Sequence, residues 1–172
     1  LFLLYMLFTF TISLIVDATV RICRGSISKK EGFLLTSYSA VINFFFLFQS
    51  GKAFRAIYLK QKHNIPIKDY TLASLGYYLI YGLISIALLF SGYLGVYFIP
   101  LLALALIITG YAFYRYEGLS DKGFNNTGWL KLLLATILQI LLLIIIFGIE
   151  LKTIQSDISW SQILIYTGAA NL

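Results

Sequence analysis

Leu132-Leu-Leu-Ala-Thr-Ile-Leu-Gln-Ile-Leu-Leu-Leu-Ile-Ile-Ile-Phe-Gly-Ile149 decides the fold. An apolar run of that length approaches the roughly 20 residues a helix needs to cross about 30 Å of hydrocarbon. A transmembrane barrel would need short strands of alternating polarity instead, and a helix satisfies its own backbone within one continuous apolar segment. Outward from this run, whose span is read at about 129–149, similar segments lie at about 1–16, 71–91 and 93–114, a shorter one lies at 33–48, and a further one begins near 160. The chain is 60% hydrophobic and 12% charged, against about 25% charged residues in an average soluble domain. The expected fold class is therefore all-α, a polytopic integral membrane helical bundle. It is read as a single transmembrane domain over 1–172, cut at both ends, because Leu1 and Leu172 both stand in apolar sequence.

The charges lie between the apolar runs. Arg21, Arg24, Lys29 and Lys30 fall in 17–32; Lys52, Arg55, Lys60, Lys62 and Lys68 in 49–70; Arg115, Lys122 and Lys131 in 115–131; the expected tight turn at Ser91-Gly92 has none. Basic loops stay in the cytoplasm, so the net charge of +6 is read as orientation and as attraction to anionic headgroups, with no nucleic-acid partner. Basic loops flank 33–48 on both sides, which places both of its ends on one face of the membrane. That segment is short for a span and holds Thr36, Ser37, Ser39 and Asn43. It is expected to be re-entrant, dipping in from the cytoplasm and returning through Gln49, Ser50 and Gly51 with its irregular backbone shielded by protein. An ordinary short span beside one misplaced basic loop is the competing reading.

Residues 38–44, Tyr-Ser-Ala-Val-Ile-Asn-Phe, and 166–172, Tyr-Thr-Gly-Ala-Ala-Asn-Leu, repeat Tyr and Asn at one spacing. With three spans between them the copies would enter from opposite sides. Such an inverted repeat of short helices is a recurring transporter architecture; a chance match in apolar sequence is the alternative.

The stretch from Asn43 to Pro66 holds the candidate site. Gly51 permits a backbone turn, and Lys52 and Arg55, at i and i+3, share a helix face. Arginine grips a phosphate bidentately while lysine offers a point charge. Tyr58 is an interfacial aromatic, and Asn43 would contact polar headgroup atoms. Equally, the cations fit positive-inside anchors that snorkel to the interface. No catalytic constellation emerges. His63 is the one histidine, read as solvated between Lys62 and Asn64, and Ser50-Gly51-Lys52 lacks the rest of a phosphate-binding loop. Cys23, the one cysteine, has no disulfide or metal-ligand companion and is read as structural. Gln139 is expected to bond a neighbouring helix, and Tyr77, Tyr78 and Tyr81 line either a lipid path or a helix contact. No metal or cofactor is expected.

The run Gly51-Lys-Ala-Phe-Arg55-Ala-Ile-Tyr58-Leu-Lys60-Gln-Lys62, followed by Asn64-Ile-Pro66 and Tyr70, resembles the transmembrane region of lysylphosphatidylglycerol synthases and their stand-alone flippase-like relatives. Their pattern is a glycine, a basic residue four positions on, then a Tyr-Leu-Lys-Lys run and a short turn. Val20-Arg21-Ile-Cys-Arg24 resembles the basic turn that precedes it, and Tyr166–Leu172 the opening of the second half. Many relatives carry an acidic residue where this chain has Lys52, and an acidic–arginine pair in the next span where this chain has Ser74 to Tyr81. The resemblance implies a multi-pass module of a bacterial or archaeal cytoplasmic membrane that moves an aminoacylated phospholipid or similar amphiphile between leaflets. Asn43, Gly51, Lys52, Arg55 and Tyr58 would form its headgroup site. The expected partner is an anionic or aminoacylated phospholipid, with a second copy of the chain or a transferase left open. The soluble transferase domain is not in these residues, so no enzyme activity carries over; a lipid-feeding platform for such a transferase, or a plain membrane anchor, are the alternatives.

Overall fold

The computed structural model describes residues 2–46, 50–94, 97, 100, 103, 107, 110, 111 and 125–172. Among them all regular structure is helical: α1 (Phe2–Ile22), α2 (Lys29–Phe45), α3 (Ser50–His63), α4 (Ile67–Leu94), α5 (Asn126–Ile154) and α6 (Trp160–Ala170). Three helices are long and apolar enough to cross a membrane, over Phe2–Ile22, Ile67–Gly92 and Thr127–Ile154. These occupy the spans expected at 1–16, 71–91 and 129–149, and each outruns its apolar run because polar residues near its ends find partners. Asp17 and Arg21 pair one turn apart at 2.8 Å, for example, and carry α1 past Val16. The span expected at 93–114 lies almost wholly outside the described residues, as does most of loop 115–131. The tight turn expected at Ser91-Gly92 is corrected: α4 continues through both residues to Leu94. Gly92 serves packing there, since a Cβ would meet the Ile165 side chain of α6 at 2.6 Å.

Helices α1 and α5 run antiparallel and share the most extensive interface. At one end the Asn125 N–H donates to the Ile22 carbonyl at 2.9 Å, and Gly128 leaves no room for a Cβ against the Ile22 backbone. At the other end the Tyr5 hydroxyl donates to Glu150 at 2.8 Å. Helix α4 begins where α1 ends, with Ile65 packed on Gly25. Helix α6 runs back along α4: Ser161 and Ile165 sit against Gly92, Gly168 against the backbone of Ser85 and Leu89, and Asn171 accepts from the Tyr81 hydroxyl. Helix α6 thus stops about halfway along its partner. Small residues at these contacts let backbones approach closely, which is how helices gain packing energy where lipid is as apolar as leucine.

Buried hydroxyls inside the bundle are satisfied within their own helices. Thr19, Thr36, Ser39, Thr136 and Thr167 are buried, and each hydroxyl donates to the carbonyl four residues back. The outer faces are apolar. Leu130, Leu134, Leu138, Leu141 and Ile145 form an exposed stripe on α5 that water would not tolerate and hydrocarbon solvates. The chain is a helical membrane protein.

Helices α2 and α3 form an antiparallel hairpin. Ser28 caps α2 by accepting from the Glu31 N–H at 3.2 Å. At the tip, Asn43 Oδ1 accepts from the Gly51 N–H at 2.8 Å, so a residue of α2 caps the start of α3. At the base, Glu31 Oε1 receives the Tyr58 hydroxyl at 2.7 Å, His63 Nε2 at 2.8 Å and Lys62 Nζ at 3.0 Å. Both flanks turn through left-handed backbone, at Arg24 (φ 56°) between α1 and α2 and at Asn64 (φ 52°) between α3 and α4. Asparagine takes that conformation readily, whereas for arginine it costs about 1–2 kcal/mol.

Candidate functional site

A cavity of about 660 Å³ lies between the hairpin and helices α1, α4 and α5. Helix α3 sends Lys52 and Arg55 into it from one face, one turn apart, with Ala53 and Ala56 between and beside them. Helix α2 contributes Thr36, Ser39 and Asn43, α4 contributes Tyr70, Thr71, Ser74, Tyr77 and Tyr78, and α5 contributes Gln139. Ala40, Ala53, Ile67, Thr71 and Leu75 line the cavity and are also exposed, so the mouth is largely apolar.

The wall is rich in hydrogen-bond donors and has no carboxylate among its lining residues. Lys52 Nζ lies 4.0 Å from the centroid of the Tyr78 ring, a cation–π seat that holds the ammonium without neutralising it. Arg55 Nε is buried without a hydrogen-bond partner among the described residues. An orphan donor of this kind costs about 1–3 kcal/mol, and more when it is charged. Asn43 commits its oxygen to Gly51 and Gln139 commits its oxygen to the Tyr77 hydroxyl at 2.9 Å, which leaves the NH2 of each amide to offer. The first turn of α3 contains no acidic residue, so the positive end of its dipole adds to the same field.

Of the residues read from sequence, Asn43, Lys52 and Arg55 meet at this cavity. Tyr58 does not. It sits at the base of the hairpin, where it bonds Glu31 and receives Lys62 Nζ at 2.9 Å. Gly51 stays close to the site but in a different role from the expected turn: it lies within the first turn of α3, with no room for a Cβ against the Ser39 carbonyl. His63 is half-buried on Glu31 and not simply solvated. Gln139 bonds across to α4 as expected, and Tyr77 and Tyr78 line the cavity while Tyr81 reaches Asn171. Cys23 is buried and unbonded, its thiol pushed up to about 12 by burial and then by the nearby Asp69 charge.

Glu31, and Tyr70 and Ser74 as cavity residues of α4, escaped the sequence reading. The carboxyl of Glu31 is held down at about 2 by the His63 hydrogen bond first, then by Tyr58 and Lys62, against the opposing effect of burial. Its partners Tyr58 and His63 stand 27 and 32 residues away, so no local pattern announces them. The wall residues Tyr70, Ser74, Tyr77 and Tyr78 recur at i, i+4, i+7 and i+8, a one-face spacing that does mark them. No protein-family model, characterised protein or solved structure matches the chain.

Proposed function

We propose that the chain is a flippase-like lipid-transport module, in which a phospholipid or similar amphiphile places its phosphate at Lys52 and Arg55 and its tails along the apolar mouth. The observation that carries this reading is the cavity itself: two cations on one wall, no carboxylate among the residues lining it, and a mouth bordered by the exposed Ala40, Ala53, Ile67, Thr71 and Leu75. A membrane anchor has no use for an arginine whose Nε is buried without a hydrogen-bond partner among the described residues.

The hairpin is read as re-entrant from the cytoplasmic side. In support, α2, α3 and α6 are about 25, 21 and 16 Å long at 1.5 Å per residue, all short of the roughly 30 Å core. Glu31 ties the two ends of the hairpin together. Arg21, Arg24, Lys29, Lys30, Lys62 and Lys68 cluster around the junctions of α1 with α2 and of α3 with α4, the arrangement expected of a cytoplasmic end. Helix α3 returns from Tyr78 to the start of α4, so α2 advances in the sense of α4 whereas α6 runs against it. Opposed short helices of this kind are in keeping with an inverted repeat.

The test compares Arg55→Ala with Lys122→Ala in binding of phosphatidylglycerol to the purified protein in detergent. Loss of a charge-assisted bond worth ~1.5–3 kcal/mol predicts at least a tenfold weaker complex for Arg55→Ala and little change for Lys122→Ala. Equal losses would mean that both residues act as diffuse surface charge, and the assignment would fail.

A further inference from the structure

We infer that the site selects headgroups that carry a phosphate and no amine, so that its ligand is an acidic phospholipid of the phosphatidylglycerol type. This rests on the lipid-transport reading and narrows it. Both charged groups on the wall are cations. Arg55 offers an unanswered buried N–H. Asn43 and Gln139 have their oxygens engaged within the protein and present donors. The first turn of α3 lacks an acid that would offset its positive end. An anion meets donors on three sides.

An ammonium meets the opposite environment. Taking a charge out of water is tolerated only where a counter-charge or a full set of hydrogen bonds replaces the solvent, and among the lining residues the acceptors on offer are neutral hydroxyls such as those of Thr19, Thr36 and Ser39. These three hydroxyls donate their protons to their own helices, so they meet an ammonium with lone pairs but with no counter-charge. The lysyl group of an aminoacylated lipid would bring two further positive charges beside Lys52 and Arg55.

The experiment displaces fluorescent phosphatidylglycerol from the complete protein in neutral detergent, using phosphatidylglycerol, phosphatidylethanolamine, lysylphosphatidylglycerol and inorganic phosphate as competitors. Unlabelled phosphatidylglycerol should compete at a concentration at least tenfold below that of either amine-bearing lipid, and inorganic phosphate only at far higher concentration. Ser74→Asp, which adds a carboxylate to the wall, should shrink that preference severalfold while leaving the protein folded, and Lys52→Gln should weaken phosphatidylglycerol without strengthening phosphate. Equal or better competition by lysylphosphatidylglycerol overturns the selectivity and leaves the transport reading intact. Failure of every lipid to compete overturns the transport reading itself. Inorganic phosphate competing as well as phosphatidylglycerol would keep the preference for anions but make the ligand a free anion, contrary to the proposal.

Discussion

Replacing Gly51 with alanine adds one methyl group at the closest approach of α2 and α3. The new Cβ would overlap the Ser39 carbonyl oxygen and lie 2.8 Å from Asn43 Oδ1 and 2.9 Å from the Ser39 carbonyl carbon. Two of these atoms are backbone, so no rotamer change relieves the contact and α3 must retreat from α2. Overpacking of this type costs ~1–3 kcal/mol, and the weakened Asn43–Gly51 bond adds ~1 kcal/mol. The better helix propensity of alanine offsets ~1 kcal/mol. The net loss is ~2 kcal/mol, or about 4–8 °C in Tm for a chain of this size. Gly82 is the internal control: it lies inside α4 with nothing within 4 Å of its would-be Cβ, so Gly82→Ala should gain up to ~1 kcal/mol. Cys23 supplies the readout, because a buried thiol held in its neutral form reacts with a thiol-specific dye only as the bundle opens. Melting curves in one detergent should rank Gly82→Ala at or above the parent and Gly51→Ala several degrees below. A Gly51→Ala protein that melts with the parent would refute the close packing at the hairpin tip.

The remaining predictions concern the base of the hairpin and its sidedness. In a Cys23→Ala background, Ser26→Cys and Gln61→Cys, both at exposed positions, should label from the same side of sealed vesicles and Gln155→Cys from the other; labelling of 26 and 61 from opposite sides would end the re-entrant topology. Because Glu31 is depressed in the folded state to about 2 from an ordinary 4.5, its stabilising contribution is full above about pH 4.5 and is lost as pH falls toward 2. Protease protection of the 64–66 turn should therefore hold from pH 8 to 5 and decline below, and Glu31→Gln should loosen the turn at neutral pH by ~1 kcal/mol, the scale of a partly exposed ion pair, with a flatter acid response.

How much of this was written in the sequence depends on the range of the interaction. The spans at α1, α4 and α5 were legible because bilayer thickness imposes a length on apolar runs, and Leu132–Ile149 meets it without interruption. Their ends were not, because Asp17, Arg21 and Asn125 extend or cap helices through polar contacts that hydropathy ignores. Lys52 and Arg55 were legible as a pair, since i and i+3 share a face in any helix. Tyr58, read as an interfacial aromatic of the headgroup site, does not line the cavity and bonds Glu31 at the hairpin base, a partner fixed only once α2 folds back. Gly51 was expected to supply a turn, whereas the structure places it inside α3 against the Ser39 carbonyl, a contact that no local pattern announces.

The hairpin is fastened at both extremities, by Asn43 on Gly51 at the tip and by Glu31 on Tyr58, Lys62 and His63 at the base. Turned as a body on its attachments, the left-handed residues Arg24 and Asn64, such a unit would be a lever about 21 Å long, the length of α3. A rotation of roughly 5° about its two pivots displaces the tip by about 2 Å, enough to exchange one hydrogen-bond partner for another. Lys52 and Arg55 ride on that arm while Tyr78 and Gln139 stay with the bundle, so a small angular change at the pivots becomes a change in which groups the cavity's cations can reach.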